Sequence, residues 1–99
     1  MKEFTYTIVD KDGMHARPAG RLATTAKQFA SSISVKANGK TADGKRLVSL
    51  MMLGVVLGTT LTFSITGEDE ERAALELEHF CRTQWNPGGI VVNDEEIEN

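Results

Sequence analysis

Residues 33–43 read I-S-V-K-A-N-G-K-T-A-D. Ile33, Val35 and Ala37 alternate with polar residues, which sets the apolar side chains on one face of an extended strand. Asn38-Gly39 follows, the pair that best accepts positive φ at both central positions of a type I′ turn, so the chain turns back on itself. A return strand is expected over Lys40–Asp43. This hairpin decides the class, because an antiparallel pair with one apolar face needs helices on that face and leaves the other face to water.

The flanking sequence supplies the remaining elements. Phe4, Tyr6 and Ile8 alternate with Thr5 and Thr7, a strand that Asp10–Gly13 interrupts. From Ala16 the period becomes helical through Ala19, Leu22, Ala23, Ala26, Phe29 and Ala30. After Gly44, the apolar run Leu47–Leu53 reads as a short helix that Gly54 closes. Thr60–Thr66 alternates again, with Leu61, Phe63 and Ile65 inward. Acidic residues at 68–71 suit a helix N-terminus, and Ala73, Ala74, Leu77, Phe80, Cys81 and Gln84 mark the buried side of that last helix. Asn86-Pro87-Gly88-Gly89 should end it. The order is βαββαβα, a mostly antiparallel α+β fold. The segment from Trp85 to Asn99 is read as a solvated acidic tail in preference to an added strand at 90–92.

Ninety-nine residues with 40% hydrophobic and 25% charged content fit one domain. One cysteine excludes an internal disulfide and suits a reducing, cytoplasmic setting. The N-terminus lacks the apolar run of a secretory signal, and the stretch 47–63 is too broken by glycine and threonine to span a membrane. Net charge is −3, but residues 1–67 carry nine Lys/Arg against four Asp/Glu, whereas 68–99 carry two against ten. The basic part suits an acidic protein surface or a phosphate; its cations are too scattered to suggest nucleic acid. No cofactor and no metal are expected.

The chemistry-bearing stretch is G-M-H-A-R-P-A-G at 13–20. Neutral imidazole is a competent nucleophile near pH 7, and its phosphoryl adduct is readily passed on. At a helix N-terminus, His15 would meet unpaired N–H groups and a positive dipole end, which disfavour imidazolium and attract phosphate oxygens. Arg17 adds a fork-shaped cation for phosphate oxygens. Pro18 suits the first helical turn, where its missing N–H costs little. The alternative is a surface histidine, a solvated arginine and a helix-starting proline.

With N-G-K-T at 38–41, Leu53-Gly54 and G-E-D-E at 67–70 at matching spacing, this stretch resembles the HPr phosphocarrier proteins of the bacterial phosphoenolpyruvate-dependent sugar phosphotransferase system, over roughly residues 2–84. The resemblance implies an open-faced β-sandwich, a four-stranded antiparallel sheet with three helices on one face, occupying residues 1–85, with 86–99 an acidic C-terminal extension. It implies a phosphoryl carrier, and not a stand-alone enzyme, in which His15 takes the group on Nδ1 from enzyme I and passes it to the IIA domains of sugar permeases. Arg17 would assist, with Ala16 and Pro18 supporting the phosphate site. Gly20, Thr24, Lys27, Arg46, Leu47, Val48 and Met51 would form the partner face of a monomer, and transcriptional regulators are further partners. A regulatory paralogue, or an interaction module without phosphotransfer, are the alternatives.

One departure stands out. Many relatives open the second helix with a serine phosphorylated by a dedicated kinase, and Arg46 occupies that position. The expectation from this departure is that the protein escapes that kinase. Ser49 reads as an ordinary helix serine, and Asp43 is the candidate to cap this helix in place of Arg46. His79 and Cys81 are expected to be a surface histidine and an unreactive buried thiol.

Overall fold

The computed structural model describes residues 1–83 and Trp85. The expected turn at 86–89, the strand at 90–92, Gln84 and the rest of the tail lie outside the described residues. Four strands and three helices follow in the expected order: β1 (Lys2–Thr7), α1 (Ala16–Ala26), β2 (Ser32–Ala37), β3 (Lys40–Asp43), α2 (Leu47–Met51), β4 (Thr60–Thr66) and α3 (Glu70–Thr83).

The hairpin forms as its sequence dictates. Val35 opposes Ala42 and Ala37 opposes Lys40, and the turn between them holds Asn38 at φ 54° and Gly39 at φ 76°. Asn38 has a second task. Its Nδ2 donates to the carbonyl oxygens of Leu53 (2.9 Å) and Gly54 (3.1 Å), which ties the hairpin to the chain leaving α2.

The sheet order is β1-β4-β2-β3, every neighbouring pair antiparallel. β4 therefore sits between β1 and β2, its Phe63 opposite Phe4 on one side and Val35 on the other. The Phe4 and Phe63 rings stack with centroids 4.5 Å apart. Leu61, Phe63 and Ile65 are fully buried, as their alternation requires, beneath Leu22, Leu50 and Leu77. Burial of one such side chain stabilises the fold by about 1.5–3 kcal/mol, so these layers carry most of its cohesion.

Three local expectations are corrected. α1 stops at Ala26, so Ala30 lies beyond it and is exposed, while Phe29 still reaches the core through a tight turn. That turn is fixed from outside: Asp69 accepts the N–H groups of Ala30 (2.9 Å) and Ser31 (3.0 Å). Asp43 does not cap α2. Its carboxylate takes the N–H of Lys45 at 2.9 Å, and Arg46 occupies the N-cap position with no side-chain hydrogen bond.

Trp85, read with the solvated tail, is instead 1% exposed. Its N–H reaches the carbonyl of Phe80 at 3.2 Å, a wide bond of the kind that closes helix C-termini. Its ring packs against Tyr6 and Phe80.

Candidate functional site

The site lies where the β1–α1 loop meets the α2–β4 loop. Ile8 donates to Thr59 O and receives the N–H of Gly58, both at 2.9 Å, and Met14 donates to Val55 O at 3.1 Å. The two loops are thus stitched at both ends. Gly13 makes the close approach possible: its φ is 65°, and a β-carbon there would collide with Val55 O and Val56 Cα. Its carbonyl faces Trp85 Nε1 at 3.5 Å.

His15 follows as the N-cap of α1, with extended backbone (φ −92°, ψ −176°) and its carbonyl accepting the N–H of Ala19. The imidazole makes no capping bond, so the ring is left for other work. Its side chain is 39% exposed, and Nε2 lies 3.6 Å from Asp10 Oδ2. No acidic residue occupies the first turn of α1, so nothing there competes with an incoming anion.

Ala16 and Arg17 are exposed at the helix start, and Pro18 is buried beside them. Arg17 continues into an open groove that it lines with Gly20, Arg21, Thr24 and Thr25. Lys27, in the C-cap position, is exposed at the other end of α1.

α2 packs beside α1 and buries only Leu50 of its five residues. Leu47, Val48 and Met51 are 39%, 69% and 42% exposed, which excludes the core role that a short apolar helix could otherwise have had. Arg46 is exposed at its start. Exposed Met52, Val56 and Leu57 extend this apolar surface beyond the residues anticipated from sequence. Flexible methionines on such a face suit contact with more than one partner.

Asp10, Asp12 and His15 are the only such trio among the described residues to bring potential ligand atoms within 4.8 Å of one another. Asp10 Oδ1 is already engaged by the Asp12 N–H at 2.8 Å, and nothing further at the cluster points to an ion. Elsewhere, His79 is exposed and Cys81 is fully buried. Burial, with Glu78 nearby, pushes the Cys81 thiol up and away from reactivity. Among the described residues, no helix is long and apolar enough to cross a membrane.

Sequence reasoning did not anticipate Asp10, Arg21, Thr25 or Trp85 at this site. Arg21 and Thr25 carried a usable signal, since they follow Arg17 and one another at four-residue helical spacing. Asp10 and Trp85 reach the site only through the path of the chain.

Residues 2–83 match the family model described as the PTS HPr component phosphorylation site. The phosphocarrier protein HPr of Haemophilus influenzae is 43% identical over 70 residues, which cover 71% of this chain and 82% of that protein. Among solved structures, the histidine-containing phosphocarrier protein of Mycoplasma superposes with a TM-score of 0.82 at 32% identity, covering 85% of this chain and 96% of that one. HPr from Thermoanaerobacter tengcongensis gives a TM-score of 0.81 at 38% identity, covering 86% and 96%. Sequence and architecture agree over the same span, and this chain belongs to the HPr family of phosphocarrier proteins of the phosphotransferase system.

Proposed function

We propose that this protein carries a phosphoryl group on His15, accepting it from enzyme I and passing it to IIA domains of sugar permeases. The observation that carries this reading is the imidazole itself: partly exposed at the N-cap of α1 and making no capping bond, within the family's motif. Unpaired backbone N–H groups of the first helical turn and the Arg17 guanidinium supply positive charge for the phosphate, with Ala16 and Pro18 forming the adjoining backbone. Half-buried Gly20 and the exposed positions Thr24, Lys27, Arg46, Leu47, Val48 and Met51 provide a face, apolar on α2 and basic near both helices, against which acidic partners dock. A monomer in the cytoplasm suffices for this role.

The test is incubation with phosphoenolpyruvate and enzyme I. Label that is acid-labile and absent from His15→Ala supports the carrier. Acceptance without transfer to any IIA would assign a regulatory phosphorelay instead, and partner binding with no acceptance would leave an interaction module.

A further inference from the structure

We propose that Asp10 is a positioning residue for the His15 ring, selecting the tautomer whose Nδ1 lone pair accepts phosphate. The proposal rests on the phosphocarrier reading above and deepens it. Asp10 is held firmly: its side chain is only 11% exposed, Oδ1 accepts the Asp12 N–H at 2.8 Å, and its carbonyl accepts the Gly13 N–H at 2.9 Å. The other carboxylate oxygen, Oδ2, faces His15 Nε2 at 3.6 Å. The imidazole makes no bond to its own helix; the exposed Asp12 carboxylate also comes within 4.8 Å of the ring, but among the described residues Asp10 is the carboxylate at ion-pair distance from it.

A neutral imidazole carries one N–H, and its neighbours decide which nitrogen holds it. With the proton on Nε2, the nitrogen 3.6 Å from the carboxylate carries the positive end of the N–H dipole and is attracted. With the proton on Nδ1, the Nε2 lone pair faces the same negative charge and is repelled. The carboxylate therefore keeps hydrogen on Nε2 and leaves the Nδ1 lone pair free.

In the transfer, that lone pair forms the N–P bond while the bond from phosphorus to the donor protein breaks, its electron pair leaving on the donor. The proton on Nε2 stays in place, so no base is needed. The ring becomes a phosphorylated imidazolium whose positive charge Asp10 offsets, and the reverse movement of electrons releases the group to an acceptor. Orienting carboxylates of this kind, where a histidine binds a metal, typically change affinity or activity by 10–100-fold on removal, and about 10-fold is expected in this case.

Asp10→Ala and Asp10→Asn separate charge from loop geometry, since asparagine can still accept the Asp12 N–H. The nitrogen chemical shifts of His15, read by NMR in alkaline buffer where imidazole is neutral, report the tautomer. Phosphorylation by enzyme I and phosphoenolpyruvate reports the consequence. We expect both variants to gain Nδ1–H tautomer and to accept phosphate about 10-fold more slowly, with Asp10→Glu recovering part of the loss. Wild-type nitrogen shifts and wild-type rates in both variants would overturn the proposal. If the unaltered protein takes no phosphate on His15, the carrier reading fails, and the tautomer measurement still decides what Asp10 does to the ring.

Discussion

Trp85 Nε1 lies 3.5 Å from the carbonyl oxygen of Gly13, which joins the end of α3 to the loop that delivers His15. The indole is almost wholly buried between Tyr6 and Phe80, so it is part of the core although it follows the span matched by the family model. Trp85→Ala should cost about 3–5 kcal/mol, as expected for a large aromatic cut to alanine. The measurement is urea unfolding followed by circular dichroism. As Trp85 is the one tryptophan, intrinsic fluorescence of the unaltered protein reads the same contact. An emission maximum unchanged on unfolding would contradict the packing.

A second long-range tie sets an acid dependence. Asp69 accepts the hydroxyl of buried Ser31 together with the N–H groups of Ala30 and Ser31. The Ser31 hydroxyl foremost, then the backbone donors, hold the Asp69 carboxyl below its usual range. Glu70 is lowered in the same direction, chiefly by the Gly67 N–H. A lowered folded-state value means stabilisation that is complete above the ordinary carboxylate range near pH 4 and drains away as pH falls through the folded value. Asp69→Asn should therefore be less stable at neutral pH and converge on the unaltered protein in acid. Urea midpoints taken from neutral pH down to about pH 2 check this; a constant gap would refute it.

These two ties also explain what the sequence could and could not reveal. β3 and β4 fall where alternation and Asn38-Gly39 put them, because hairpin pairing and the inward set Leu61, Phe63 and Ile65 are local or strictly periodic signals. α1 ends earlier than its apolar spacing suggests because Asp69, 39 residues from Ala30, takes the N–H groups of the turn that follows. No periodicity encodes such a contact. His15, Arg17 and Pro18 were legible since they are adjacent in sequence, whereas Asp10 meets His15 only once the loop has turned at Gly13. Trp85 looked like the start of an acidic tail because its partners Tyr6 and Gly13 lie at the opposite end of the chain.

Arg46 opens α2 without capping it, and it places a cation at the positive end of the helix dipole. Arg46→Ser supplies a hydroxyl acceptor for an N–H of the first turn and removes that charge. Stability should rise by about 1 kcal/mol, read as a higher urea midpoint at unchanged slope. The unaltered protein should also take no hydroxyl-linked phosphate from the family's serine kinase and ATP. Ser49 does not substitute, since its half-buried Oγ accepts the Asp43 N–H at 3.2 Å. Acid-stable, ATP-dependent label on the unaltered chain would show that the switch survives despite Arg46.

Tyr6 provides a test at the alkaline end. Its hydroxyl is buried with no hydrogen-bond partner among the described residues, and burial foremost, then the proximity of Cys81 and Asp10, pushes its pKa up to about 12. The native state thus favours neutral tyrosine more than the unfolded chain does. The sign follows: stability falls as pH rises from the ordinary tyrosine value near 10 to about 12, because the unfolded chain releases its proton first. Tyr6 is the one tyrosine, so the tyrosinate absorption band titrates it alone. The native protein should show a midpoint near 12 and the urea-unfolded protein one near 10. Tyr6→Phe, which removes an unpaired buried hydroxyl and keeps the ring against Trp85, should equal or exceed the unaltered protein in stability at neutral pH and lose the steepest part of the alkaline decline. A destabilisation above about 1 kcal/mol at neutral pH would mean that the hydroxyl has a partner after all.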